Sequence, residues 1–130
     1  MKQRLVVAAS LFLLSANIQA DDRSWTSSRG LFTVTYESEL DPPQINVLHS
    51  WTVHLEDAAG APVLGAKIEA DGGMPEHDHG LPTRPRVTEE LGDGNYRLEG
   101  LRFHMRGNWE LNLVIEAAGK TDNLVVKVTL

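Results

Sequence analysis

Trp109-Glu110-Leu111-Asn112-Leu113-Val114-Ile115-Glu116 is the stretch that decides the fold. Successive side chains of a strand point to opposite faces of its sheet. Trp109, Leu111, Leu113 and Ile115 therefore share one face, and Glu110, Asn112 and Glu116 share the other. This is the signature of an antiparallel strand with one side in a core and the other in water.

The same alternation extends in both directions. Ala118 to Asn123 reads as a turn, and Leu124 to Leu130 alternates again to close the domain. On the N-terminal side, Gly92-Asp93-Gly94-Asn95 is a hairpin signal between a short strand, Arg86 to Leu91, and one in which Tyr96 and Leu98 face inward. Leu31 to Tyr36 is rich in β-branched and aromatic residues and reads as the first strand. Asp41-Pro42-Pro43 is a stiff turn. Ile45 to Leu55 reads as a long strand or a bent pair, with Trp51, Val53 and Leu55 on one face. Val63 to Ala70 follows the Asp57 to Pro62 turn. No segment carries a sustained helical period. About seven short strands separated by Gly, Pro and Asp turns predict an all-β fold, an antiparallel immunoglobulin-like β-sandwich over residues 31–130.

Composition bounds the compartment and the partners. Lys2 and Arg4, the apolar run Leu5 to Ser15 and small residues ending at Ala20 read as a secretory signal over residues 1–20. The apolar run is shorter than the about 20 residues that span a bilayer. A membrane association is expected only if that segment is retained as an anchor. Residues 21–30, polar around Trp25, read as a flexible arm. Formal charge is −6, and without Lys2 and Arg4 ten basic side chains face eighteen acidic ones, giving −8. So acidic a chain is a poor partner for an anionic membrane surface, and no nucleic acid is expected as a partner, because their phosphates would be repelled. The chain has no cysteine, so its stability rests on packing and any metal must take nitrogen, oxygen or thioether ligands.

The chemistry gathers in Met74-Pro75-Glu76-His77-Asp78-His79-Gly80-Leu81-Pro82. Glycine and proline at 72, 73, 75 and 80 oppose a helix, so residues 71 to about 85 are expected as a loop. His77 and His79 are two apart, and an extended backbone points both the same way. Met74 can reach the same space if the Gly72-Gly73 turn curls back. Thioether with imidazole suits Cu(I), and two or three imidazoles suit Cu(II) or Zn(II). Glu76 and Asp78 either support the imidazoles or face water. A second group sits at His104 and Met105, and Gly100 and Gly107 would let the chain bend so that one of them joins the loop. The candidate ligands are thus Met74, His77, His79, His104 and Met105. The plain alternative is a solvated polar loop, with the methionines as core fillers, His49 and His54 as ordinary strand residues, and Trp51 and Trp109 as core aromatics. No G-x-S-x-G, no H-E-x-x-H and no phosphate-cradling glycine loop is present, so no enzyme activity is expected.

A family resemblance accompanies these residues. Gly60-Ala61-Pro62 followed by Gly65-Ala66-Lys67-Ile68, Met74-Pro75 leading to His79-Gly80-Leu81-Pro82-Thr83, Gly94-Asn95-Tyr96, Gly100 to Met105, and Gly107-Asn108-Trp109-Glu110-Leu111 together resemble the YtkA-like domain family, allied to FixH proteins. The resemblance spans roughly Ser50 to Ile115 and rests on order and spacing rather than on one motif. It implies an exported β-sandwich that handles copper. Met74, His79, His104 and Met105 match positions where Met and His recur in the family, whereas His77 rests on local chemistry. The N-terminal segment departs from the anchor of FixH, which is linked to assembly of a copper-containing oxidase. The expectation is therefore a periplasmic copper chaperone or buffer, exchanging its ion with a copper-accepting or copper-donating protein. The competing expectation is a structural or interaction domain, an accessory subunit of an exported complex.

Overall fold

The computed structural model describes residues 23–130. The segment read as a signal, together with Asp21 and Asp22, lies outside the described residues. Among the described residues nine strands form two antiparallel sheets. In chain order they are β1 (Trp25–Thr26), β2 (Phe32–Ser38), β3 (His49–Asp57), β4 (Lys67–Met74), β5 (His79–Gly80), β6 (Arg86–Gly92), β7 (Asn95–Leu101), β8 (Asn108–Ala117) and β9 (Lys120–Thr129). One sheet runs β1-β2-β3-β7-β6 and the other β5-β4-β8-β9. Among the described residues the helical content is a single 3-10 turn, Pro75–His77, and no helix is long and apolar enough to cross a membrane.

The alternation that predicts the fold also builds its core. Trp109, Leu111, Leu113 and Ile115 of β8 face Trp51, Val53 and Leu55 of β3 and Leu98 of β7, and all are buried. β8 and β9 pair through ten consecutive residues from Asn108↔Thr129 to Ala117↔Lys120, so the C-terminal hairpin forms the most regular part of the frame. Tyr96 closes the opposite side. Its hydroxyl donates to the Val63 carbonyl (2.7 Å) and accepts from the Ala66 N–H (3.0 Å), fixing the entry to β4.

The structure adds two short strands to the seven expected and moves several boundaries. The third strand starts at His49, not Ile45. Ile45, Val47 and Leu48 instead lie exposed in a loop that is tied to the body by the Asn46 N–H donating to the Phe103 carbonyl at 2.7 Å. β4 continues through Gly72 and Gly73 to Met74, so the chain leaves the strand four residues later than expected. β5 then pairs back onto it, Gly73 with Gly80 and Met74 with His79.

The arm is held from Trp25 onward. Trp25 pairs with Val34, and Asp122, only 4% exposed, clamps the following turn. Its carboxylate accepts from the Ser28 hydroxyl (2.8 Å) and from the backbone N–H groups of Arg29 and Asn123 (both 2.9 Å). Burial alone would push the Asp122 carboxyl up, but the Ser27 and Ser28 hydroxyls and these backbone donors outweigh it and hold it well below the usual carboxylate range. A group depressed in the folded state contributes stability above its unfolded pKa, near 4, and that contribution fades as pH falls toward the folded value. Asp122→Asn is thus expected to lower Tm at pH 7 by roughly 5 °C or more. The gap should shrink in melts recorded below about pH 4, where the carboxylate of the unfolded chain takes up its proton while the folded one stays ionised. A gap unchanged with pH would show that the charge is not what the donors hold.

Candidate metal site at one end of the sandwich

Strand registers bring the chemistry-bearing residues to one end of the molecule. Met74 is the last residue of β4, Trp109 is the second of β8, and Phe103, His104 and Met105 follow the end of β7. Register pairs Met74 with His79, so both side chains fall on the same face of the sheet and are neighbours. Met74 is fully buried. The six residues from Met74 to His79 form a tight cap whose two ends are pinned to each other. The 3-10 turn fits inside because Pro75 starts it and Asp78 leaves it in the left-handed region, φ 51°.

Close backbone approach makes this geometry possible. A Cβ on Gly72 would run into the Glu110 carbonyl oxygen of β8, and one on Gly73 into the carbonyl oxygen of His79. At Gly107, φ is 135° and a Cβ would press on the Met74 methyl. These glycines stand where backbone meets backbone or methionine.

Three imidazoles lie in a row. The His77 and His79 ring centres are 5.9 Å apart with planes 20° from parallel, and those of His79 and His104 are 5.0 Å apart. Trp109, 1% exposed, walls the row, edge-on to His79 at 5.6 Å and to His104 at 5.3 Å. Its indole N–H donates to the Met105 carbonyl (3.0 Å), which anchors the segment carrying His104.

Hydrogen bonding fixes what the nitrogens offer. The His79 Nδ1 lies 3.1 Å from the Gly80 carbonyl. A carbonyl only accepts, so Nδ1 carries the proton and Nε2 presents its lone pair. Among the described residues that Nε2 is buried without a hydrogen-bond partner, as are the Nδ1 of His104, the Nε1 of Trp51 and the Nε of Arg102. Buried polar nitrogens without partners are uncommon and need a physical reason. Two imidazoles that share one ion, each with a nitrogen roughly 2.0–2.1 Å from it, place their ring centres about 5–6 Å apart. The His79–His104 separation fits that requirement.

The five candidate residues do not contribute alike. His79 and His104 lie side by side, and Met74 is the cross-strand neighbour of His79. Met105 packs against the core and contributes its carbonyl to Trp109. His77 is exposed on the cap, and among the described residues no three His, Asp or Glu side chains already form a cage. Glu76 reaches Asn108 (3.5 Å), and the Gly80 carbonyl takes the role toward His79 that a loop carboxylate could have filled. His49 bonds the Val47 carbonyl, and His54 bridges Asn95 and Glu56 on the far side of its sheet from the core. Sequence reasoning treated Trp109 as a core residue alone. Its adjacency to both histidines arises from the fold, and the only local signal is that Trp109 opens β8 just after the His104 segment.

Fold and site together define a β-sandwich domain with a histidine–methionine cluster at one end. The chain belongs to the YtkA-like family, whose model matches residues 32–114. No curated protein and no solved structure matches it.

Proposed function

We propose that this domain binds one Cu(I) ion at its His79–His104 end and works as a non-catalytic copper chaperone or buffer in the periplasm. The observation that carries the reading is the pair of buried, unpartnered nitrogens, His79 Nε2 and His104 Nδ1, on rings 5.0 Å apart. Met74, beside His79 on the same face, supplies the thioether that biases such a pair toward Cu(I), because soft sulfur favours the monovalent ion. Residence in the periplasm rests on the signal-like first twenty residues. A protein that receives or donates copper is the corresponding partner.

The test is an anaerobic competitive titration of Cu(I) against a chromogenic chelator. The wild-type chain should bind one equivalent. The His79→Ala/His104→Ala variant should lose at least about 100-fold in affinity, since each lost tenfold corresponds to about 1.4 kcal/mol of binding. Equal binding by both proteins would remove this end of the sandwich from the argument.

One observation favours the second reading, an interaction domain or accessory subunit. The loop bearing Ile45, Val47 and Leu48 exposes all three, with Leu48 at 64%, and its Asn46 is bonded to the residue preceding His104. An absence of copper binding would leave this apolar lip as the surface to pursue.

A further inference from the structure

We infer that His77 is an exchange ligand: it takes hold of the ion during entry and transfer but does not hold it at rest. The inference rests on the copper reading of the His79–His104 pair and assigns a separate step to a third residue.

The argument begins with exposure. The row of imidazoles is graded, His77 exposed and His79 and His104 half-buried, with the free nitrogens of the inner two shielded from water. An ion held by two buried nitrogens and a buried thioether leaves slowly unless a new ligand joins before an old one departs. Among the described residues His77 is the imidazole that lies outward of this pair, with its ring centre 5.9 Å from that of His79.

The backbone explains why His77 is not a resident ligand. Its ring lies almost parallel to that of His79, 20° between planes, rather than converging with both inner rings, and the three form no cage. Both ends of the cap are pinned by the β4–β5 pairing, so the main chain cannot carry His77 inward. No residue of its turn is buried, and its ring makes no hydrogen bond among the described residues. Rotation about its own side-chain bonds is therefore unopposed. A swing brings one nitrogen toward the ion, and a swing back offers the ion to an incoming protein. The ion stays Cu(I) throughout. One Cu–N bond forms to His77 as the bond to His79 or His104 breaks, and no electron or proton needs to move.

The experiment separates equilibrium from rate. The chain is loaded with Cu(I) under anaerobic conditions, and transfer to excess chelator is followed by stopped flow. His77→Ala should keep the wild-type equilibrium affinity within about threefold, while its transfer slows by roughly tenfold or more, a change confined to kinetics. Free imidazole should restore much of the lost rate, and His77→Gln should behave as His77→Ala does. A thermal melt controls for the fold, and the 3-10 turn that carries His77 buries no residue. Two results overturn the inference. An affinity loss in His77→Ala comparable to that in His79→Ala would make His77 a resident ligand, and unchanged transfer would give it no role. The equilibrium titration reports separately on the copper reading. A wild-type chain that binds no Cu(I) there would fail that reading first, and the role of His77 with it.

Discussion

Trp109→Ala is expected to destabilise the domain by about 3–5 kcal/mol, the usual cost of emptying a buried aromatic site. Trp109 is almost wholly enclosed and packs against Phe103 at 5.3 Å between ring centres as well as against both inner histidines. Truncation removes the contact surface of three rings at once. It also leaves the Met105 carbonyl without the indole N–H that it accepts. Collapse around the void is limited, because β8 is locked into β9 along its whole length. The measurement is urea unfolding followed by circular dichroism. Trp109→Phe separates the two contributions, since it keeps a ring but loses the N–H donor, and should cost less, with about 1 kcal/mol of its loss due to the missing hydrogen bond. The Ala variant should also lose Cu(I) affinity, because the wall that positions His79 and His104 is gone. A loss of stability below about 1 kcal/mol for Trp109→Ala would contradict the packing described for this end of the sandwich.

The frame was legible wherever burial is one-sided. In β8, β9 and β7 the inner residues alternate with outer ones, and a period of two is visible without knowledge of the partner strand. The failures occur where a distant backbone sets the local structure. Gly72 and Gly73 carry poor strand propensity, so local reading ends the strand at Ala70. The structure continues it because the backbones of β8 and of His79 come too close for any side chain. Ile45, Val47 and Leu48 show the reverse case. They look like strand residues, yet Asn46 adopts φ 60° and its N–H bonds to Phe103 rather than to a ladder. The expectation that one of His104 and Met105 joins the loop agrees with the structure, where His104 lies beside His79 and Met105 packs on the core. Residues 102–107 lie between β7 and β8, so alternation does not bind them, and His104 reaches His79. The spacing of His77 and His79 was equally visible in the sequence, but the 3-10 turn and left-handed Asp78 replace the extended backbone that would have aimed both rings at one point.

Those glycines carry the sharpest contrast the structure offers. Gly73→Ala is expected to destabilise the domain by about 1–3 kcal/mol, as overpacking does, although alanine is the smallest side chain that could be added. Its Cβ would meet the His79 carbonyl oxygen, the Gly80 Cα at 2.9 Å and the His79 carbonyl carbon at 3.1 Å. All are backbone atoms, so no rotamer change relieves the contact. Relief requires that the two-residue pairing of β4 with β5 open, and that pairing is what holds His79 beside Met74. Gly80→Ala lies on the partner strand of the same pair but meets nothing closer than the Gly72 carbonyl oxygen at 3.5 Å. That is ordinary contact, and the change should stay within about 0.5 kcal/mol of wild type, as surface substitutions do. Melting curves and Cu(I) titrations of the two variants side by side give the answer. If the cap is built as described, Gly73→Ala loses both stability and copper affinity and Gly80→Ala keeps both. Equal behaviour of the pair would mean that β5 does not press on β4, and the placement of His79 against His104 would have to be abandoned with it.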